Sequence, residues 1–272
     1  MGARRKRAAL FLAATAFAAS AGAEAPAKIQ DNSFLLEEAY NQEPGVVQHI
    51  QAFQYLTKDK TWTASFTEEW PWKGQKNQLS VTLPVEHFPA PGNDTGLGDV
   101  GLNYRYQALL DDRVAASPRV TLLLPTGDEE DGFGAGALGY QVNMPFSVDL
   151  SDRWVTHWNF GATYTPDSRA AGSVRADTLG FNAGFSVIHV LSDRLNLMME
   201  TAATSEETPL PAGGTERNDT FFLNPGVRGA LNFESGLQVV PGLAFPIGVG
   251  PSDGEHGVFL YLSFEHPLRS GG

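Results

Sequence analysis

The sequence predicts an all-β fold, a transmembrane antiparallel β-barrel of about twelve strands that follows a cleaved signal peptide. Three observations carry this: evenly spaced turns, long period-two alternation and an export signal. The turns read Leu110-Asp111-Asp112-Arg113, Leu150-Ser151-Asp152-Arg153, Leu191-Ser192-Asp193-Arg194 and Phe233-Glu234-Ser235-Gly236. Counted on Asp112, Asp152, Asp193 and Glu234, they are 40, 41 and 41 residues apart. A longer polar loop rich in Gly and Pro separates each hairpin from the next. Short turns at one end, long loops at the other and alternating strands between them match an outer-membrane barrel.

The alternation is legible strand by strand. From Gly98 to Ala108 the even positions include Val100, Leu102, Tyr104 and Tyr106, and the odd ones Asn103, Arg105 and Gln107. Residues 139–150 set Tyr140, Val142, Met144 and Phe146 against Gln141, Asn143 and Ser147. Residues 154–164 set Trp154, Trp158 and Phe160 against His157, Asn159 and Gly161. Residues 178–190 set Leu179, Phe181 and Phe185 against Gly180, Asn182 and Ser186. A helical period would mix these faces. The remaining strands fall near 47–58, 61–70, 76–86, 116–125, 195–203, 220–231, 236–247 and 257–266. An even number puts both barrel ends on the periplasmic side. Outer loops are then expected at 87–97, 125–138, 165–177, 203–219 and 248–256, with a very short first connection at Lys58-Asp59-Lys60.

Arg4-Arg5-Lys6-Arg7, an apolar run from Ala8 to Ala19 and Ala21-Gly22-Ala23 form an export signal, with cleavage expected after Ala23. The four parts are thus a signal peptide at 1–23, an N-terminal segment at 24–46, a barrel at 47–267 and a tail at 268–272. No later apolar run is long enough for a spanning helix. Removing the four basic residues of the signal takes the net charge from −12 to −16, which excludes nucleic acid as a natural partner. The chain has no cysteine, so disulfides and thiolate metal sites are excluded.

A soluble β-sandwich or water-soluble barrel alternates too, but its polar face meets water. Here the polar face is rich in Gly, Asn, Ser and Gln and poor in Lys and Glu. Aromatics such as Trp62, Trp70, Tyr104, Tyr106, Trp154 and Tyr164 gather near strand ends, where interfacial girdles sit. Both details favour lipid on the apolar face.

Several stretches resemble a family of proteobacterial outer-membrane transporters of the phenol-degradation MetA type. They are Ser33-Phe34-Leu35-Leu36-Glu37-Glu38-Ala39-Tyr40, Gln78-Leu79-Ser80-Val81-Thr82-Leu83-Pro84, the run from Gly96 to Tyr106, and Leu124-Pro125-Thr126-Gly127-Asp128. The resemblance covers most of the mature chain. It implies an outer-membrane barrel in a Gram-negative bacterium, associated with uptake of small, often aromatic molecules. One departure stands out: outer-membrane proteins often end on an aromatic residue, whereas Phe264 is followed by Glu265-His266-Pro267 and the tail. The signal read by the insertion machinery is therefore expected to be internal or weak.

The polar face supplies the candidate solute path. Antiparallel register about Asp112 places Arg105 opposite Arg119. Two guanidinium groups so close repel unless an anion or a carboxylate lies between them. Either they attract an anionic solute such as a carboxylate or phenolate, or they pair with neighbouring acids and brace the wall. Register about Asp193 puts Ser186 opposite Glu200, with Arg228 on the next strand, and His157, Asn159, Asn182 and Gln238 complete a mixed lumen. Asp128-Glu129-Glu130-Asp131 is a loop run able to hold Ca²⁺ or Mg²⁺, or else a solvated tip. Phe34, Leu35, Leu36 and Tyr40 suit either a short plug or a periplasmic linker.

An outer-membrane lipase needs Ser, His and an orienting acid or amide on the lipid-facing wall. His189 has that parity but no nucleophile beside it, and no Gly-x-Ser-x-Gly elbow or phosphate loop occurs. The reading is therefore a non-enzymatic, passive channel without cofactor. Its partners are membrane lipid and lipopolysaccharide, the insertion machinery and a small solute. A structural or adhesive barrel acting through its loops is the alternative.

Overall fold

The computed structural model describes residues 28–89, 94–170 and 172–267. The signal peptide, the first residues of the N-terminal segment and the tail at 268–272 lie outside the described residues. The rest forms a closed antiparallel barrel of twelve strands.

The strands are β1 (Val46–Leu56), β2 (Trp62–Pro71), β3 (Asn77–Phe88), β4 in three pieces (Asp94–Leu97, Val100–Tyr106, Leu109–Leu110) and β5 in two (Val114–Ala116, Arg119–Leu124). Then come β6 (Gly139–Ser151), β7 (Trp154–Ser168), β8 (Ala176–Ser192), β9 (Leu195–Pro209) and β10 (Thr215–Gly229, Leu231–Asn232). β11 (Gln238–Ala244, Ile247–Gly248) and β12 (Gly257–Pro267) complete the set. Each pairs with its chain neighbour, and β12 returns to β1 over its whole length, from Val46 opposite Pro267 to Leu56 opposite Gly257. Closure leaves no unpaired sheet edge, as hydrocarbon requires.

The interruptions have local causes. β5 breaks at Ser117-Pro118 and β11 at Phe245-Pro246, because proline cannot donate to the ladder. The turn registers follow the alternation: Arg105 lies opposite Arg119, and Ser186 opposite Glu200.

Two outer hairpins are longer than the apolar pattern suggested. β9 continues to Pro209 and β10 begins at Thr215, so the connection expected at 203–219 shrinks to 210–214. The one expected at 165–177 shrinks to 169–175. The added residues, Thr204-Ser205-Glu206-Glu207 and their partners, are polar on both faces. Backbone pairing therefore outlasts the lipid-facing alternation, and these hairpins rise above the membrane.

The apolar face points out. Val120, Val142, Phe160, Phe181, Leu197 and Leu260 are all exposed. Trp154 and Tyr164 stand ten residues apart on β7, both exposed. At ~3.3 Å per residue and a tilt of roughly 40° their separation is about 25 Å, the height of an apolar band between two girdles. The polar face points in, where Asn103, Arg105, Asn143, His157, Asn159, Ser186, Glu200 and Arg228 are all buried.

Candidate functional site

The lumen is crossed by residues 28–45, a strap with no strand partner. Its backbone polar groups must therefore be met by side chains of the wall. Phe34 N–H donates to Glu200 Oε1 (3.0 Å), Glu37 N–H to Asn159 Oδ1 (3.0 Å) and Ala39 N–H to Ser147 Oγ (2.8 Å). Asn41 N–H donates to Gln107 Oε1 (2.9 Å) and Gln42 N–H to Gln78 Oε1 (2.7 Å). The carbonyls are met as well. Arg228 donates to the oxygens of Ile29 (3.1 Å), Asp31 (2.7 Å) and Asn32 (2.6 Å). Arg105 donates to those of Glu38 (3.2 Å) and Tyr40 (2.6 Å), and Gln107 and Ser117 to that of Ala39.

Strap side chains fit the wall in shape too. Phe34 lies against Gly226 and Gly242, where an added Cβ would come within 2.4 and 2.6 Å of its ring. Leu36 fills the space at Gly184, where a Cβ would stand 2.1 Å from it. Asp31 accepts hydrogen bonds from Gln48, Tyr261 and Ser263 across the β12–β1 seam. Near the inner end Lys28 pairs with Asp149, three residues before the turn at Asp152. The strap enters and leaves at the periplasmic rim. Its apex contacts Asn159, midway between Trp154 and Tyr164, so it reaches about half the membrane depth.

Most of the sequence-level lumen residues meet the strap. Arg105 and Arg119 do lie side by side, yet the intervening carboxylate comes from the strap rather than from a neighbouring strand alone. Glu37 Oε1 sits 2.6 Å from Arg119 Nη1 and its other oxygen 4.0 Å from Arg105, while Glu69 lies 3.7 Å from Arg105. Arg228 does not reach Glu200, which takes a hydrogen bond from Asn224 (2.7 Å) instead. Ser186 bonds Ser33 (3.0 Å), and Asn182 reaches towards Asn143 (3.5 Å). Gln238 stands at the inner rim, bonded to Asn232, and takes no part in the lumen. Sequence reasoning did not single out Gln78, Glu69 or Asp31, whereas Ser147 stood on the polar face read for residues 139–150. Gln107, Gln141 and Asn143 were on the polar parity already read from β4 and β6.

The acidic loop run does not converge on one point. Asp128 caps the Glu130 N–H (3.0 Å), while Glu129 and Glu130 pair with Arg169. His157 contacts Ser147 Oγ through Nδ1 (2.7 Å), but Ser147 is wholly buried and takes the Ala39 N–H, out of reach of lipid. His189 lies tilted against Trp154, ring centroids 4.3 Å apart.

No protein-family model matches the sequence, and no curated protein resembles it in sequence. Solved barrels share its shape. An outer-membrane channel from Pseudomonas putida F1 superposes with a TM-score of 0.63 at 13% identity, over 84% of this chain and 97% of that one. The NanC porin superposes with a TM-score of 0.52 at 11% identity, over 79% of this chain and 98% of that one. The chain is an outer-membrane β-barrel. At such identities the likeness speaks for the fold, and the apolar belt around a polar lumen speaks for the membrane.

At the outer end of the barrel one loop is pinned electrostatically. Glu255 accepts N–H bonds from Lys58 (2.8 Å), Asp59 (3.2 Å) and His256 (2.9 Å). Burial works against its charge, but these backbone donors outweigh burial and hold the carboxyl below the ordinary value of 4.5. The depressed folded value means that the clamp is complete above pH 4.5 and is lost as pH falls through that lower value. Hydrogen exchange at the Lys58 and Asp59 amides, corrected for intrinsic rate, should accelerate in acid. Glu255→Gln should exchange fast at every pH.

Proposed function

We propose that the barrel is a channel that passes small molecules passively into the periplasm and rests with residues 28–45 closing its inner half. The carrying observation is the match between strap and wall: side chains from strands around the ring point inward and satisfy a segment that lacks a sheet neighbour. A wall required only for stability has no need of glycines shaped to Phe34 and Leu36. Arg105, Arg119, Asn159, Ser186, Glu200 and Arg228 act in this reading as the strap's seat, with His157 behind Ser147 and Asn182 beside Asn143, and the solute path opens when the strap leaves.

The resemblance to the MetA-type transporters supports uptake of small molecules, aromatic ones included. The arginine pair lends no support to an anionic solute, because Glu37 and Glu69 already compensate it. Loop-mediated adhesion has little to work with at 57–61 and 210–214, which are tight connections.

Swelling of liposomes loaded with an impermeant polymer tests the proposal. Solutes of graded size should enter slowly up to a sharp size limit. Entry no faster than into protein-free liposomes, at every size, overturns it.

A further inference from the structure

A cavity of about 250 Å³ sits on the outer side of the strap, and its lining is specific. Leu35 and Glu37 form its floor, and Arg119, Gln141, Asn143, Asn159, Thr163, Asn182 and Glu206 its walls, together with Phe181, whose ring belongs to the exposed outer face of β8. At ~30 Å³ per water it holds roughly eight waters, the bulk of a monosaccharide-sized solute. We propose that this cavity binds a neutral polyhydroxylated solute entering from the cell exterior. The proposal rests on the channel reading above and names the solute class of that same lumen.

The first support is electrostatic. Among the described residues of the lining the one cation is Arg119, and its guanidinium is already engaged by Glu37 (2.6 Å) and Gln141 Oε1 (2.7 Å). Glu37 and Glu206 leave the cavity with a net negative balance, so an organic anion is repelled.

The second support is the hydrogen-bonding character of the wall. Gln141, Asn143, Asn159 and Asn182 carry both a donor and an acceptor, as a hydroxyl does. They already form a chain: Asn143 Nδ2 donates to Glu37 (3.2 Å) and Asn159 (3.1 Å), and Gln141 Nε2 donates to Thr163 (3.0 Å). An aromatic hydrocarbon would strip water from these groups and return nothing, whereas a polyol replaces water bond for bond.

The third support is a checkerboard of side-chain sizes across β6, β7 and β8. Asn143 pairs with Gly161, Gly161 with Asn182, Asn159 with Gly184 and Thr163 with Gly180. Each polar group thus faces a glycine and is free to extend into the lumen. A Cβ on Gly161 would lie 2.3 Å from Asn182 Oδ1 and 3.0 Å from Asn143 Oδ1. Gly161 is therefore a positioning residue for two amides at once.

Saturation-transfer NMR on the detergent-solubilised mature chain tests this with glucose and benzoate as probes. Glucose should receive saturation and benzoate should not. Asn182→Leu should weaken the glucose signal about tenfold, the loss of one or two hydrogen bonds, and Gly161→Ala should weaken it too. Thr67→Val, in a remote lumen pair with Thr82 (3.0 Å) between β2 and β3, should leave it unchanged. Heat-modifiable gel mobility confirms that each variant is folded. Benzoate binding in preference to glucose, no glucose binding, or glucose binding indifferent to Asn182 and Gly161 overturns the assignment. The channel reading is judged separately by solute entry into liposomes, which needs no binding.

Discussion

Removing residues 24–45, so that the export signal joins Val46, should raise time-averaged conductance per barrel in planar bilayers on the order of tenfold or more, because a strap this well bonded shuts the lumen in most molecules. The barrel itself should survive. Its twelve strands pair around the ring without using the strap, and β1 still meets β12 along its full length. The wall groups left behind face water once the strap is gone, so Arg105, Arg228 and Glu200 become solvated rather than orphaned. The measurement is the single-channel step and the open fraction of the shortened chain against the full mature chain. Equal open fractions and equal step sizes would mean that the strap is a spectator and the conduction path lies elsewhere.

The sequence carried the barrel because membrane and lumen impose opposite demands on successive residues. Trp154, Trp158 and Phe160 against His157, Asn159 and Gly161 is the alternation of a strand between lipid and lumen, and the scarcity of Lys and Glu on its polar face set it apart from a soluble sheet. The spacing of the Asp-Arg turns then set register, so the Arg105–Arg119 and Ser186–Glu200 pairs were readable before any coordinates. The outer strand ends were not readable, since Ser205-Glu206-Glu207 and their partners are polar on both faces and leave no apolar period, although Glu207 and Arg217 pair across the strands (2.8 Å). The strap lay at the limit of what local pattern can say. Phe34 and Leu36 are apolar in a segment without periodicity, and their sockets are glycines at 184, 226 and 242, about 150 to 200 residues away in sequence. A glycine reads equally well as strand weakening, close approach or lumen space. Only three-dimensional contact separates these meanings. The same limit hid the partner of Arg105 and Arg119, for Glu37 stood in a segment with no assigned place.

Replacing Arg228 should release the strap more than any other single change. The side chain is 1% exposed and spends two nitrogens on three strap carbonyls, those of Ile29, Asp31 and Asn32. In Arg228→Met these three oxygens stay buried and unpaired while the strap is seated, but are hydrated once it leaves. At ~1–3 kcal/mol for each unmet buried group the seated state loses at least about 3 kcal/mol, a shift of roughly 100-fold in the strap equilibrium. The chain has no cysteine, so a single introduced thiol is an unambiguous reporter. Ser33 is buried against Ser186 in the seated strap. A Ser33→Cys background should therefore react slowly with a maleimide, and adding Arg228→Met should speed labelling by roughly 100-fold where strap opening limits the rate. Arg228→Lys should fall between the two, because one ammonium replaces part of the donor set without the planar fork that spans three carbonyls. Heat-modifiable mobility distinguishes a released strap from a collapsed barrel. If the barrel stays folded and the introduced thiol is labelled at the same rate in all three backgrounds, Arg228 does not hold the strap and the seat must rest on Glu200, Asn159 and Arg105.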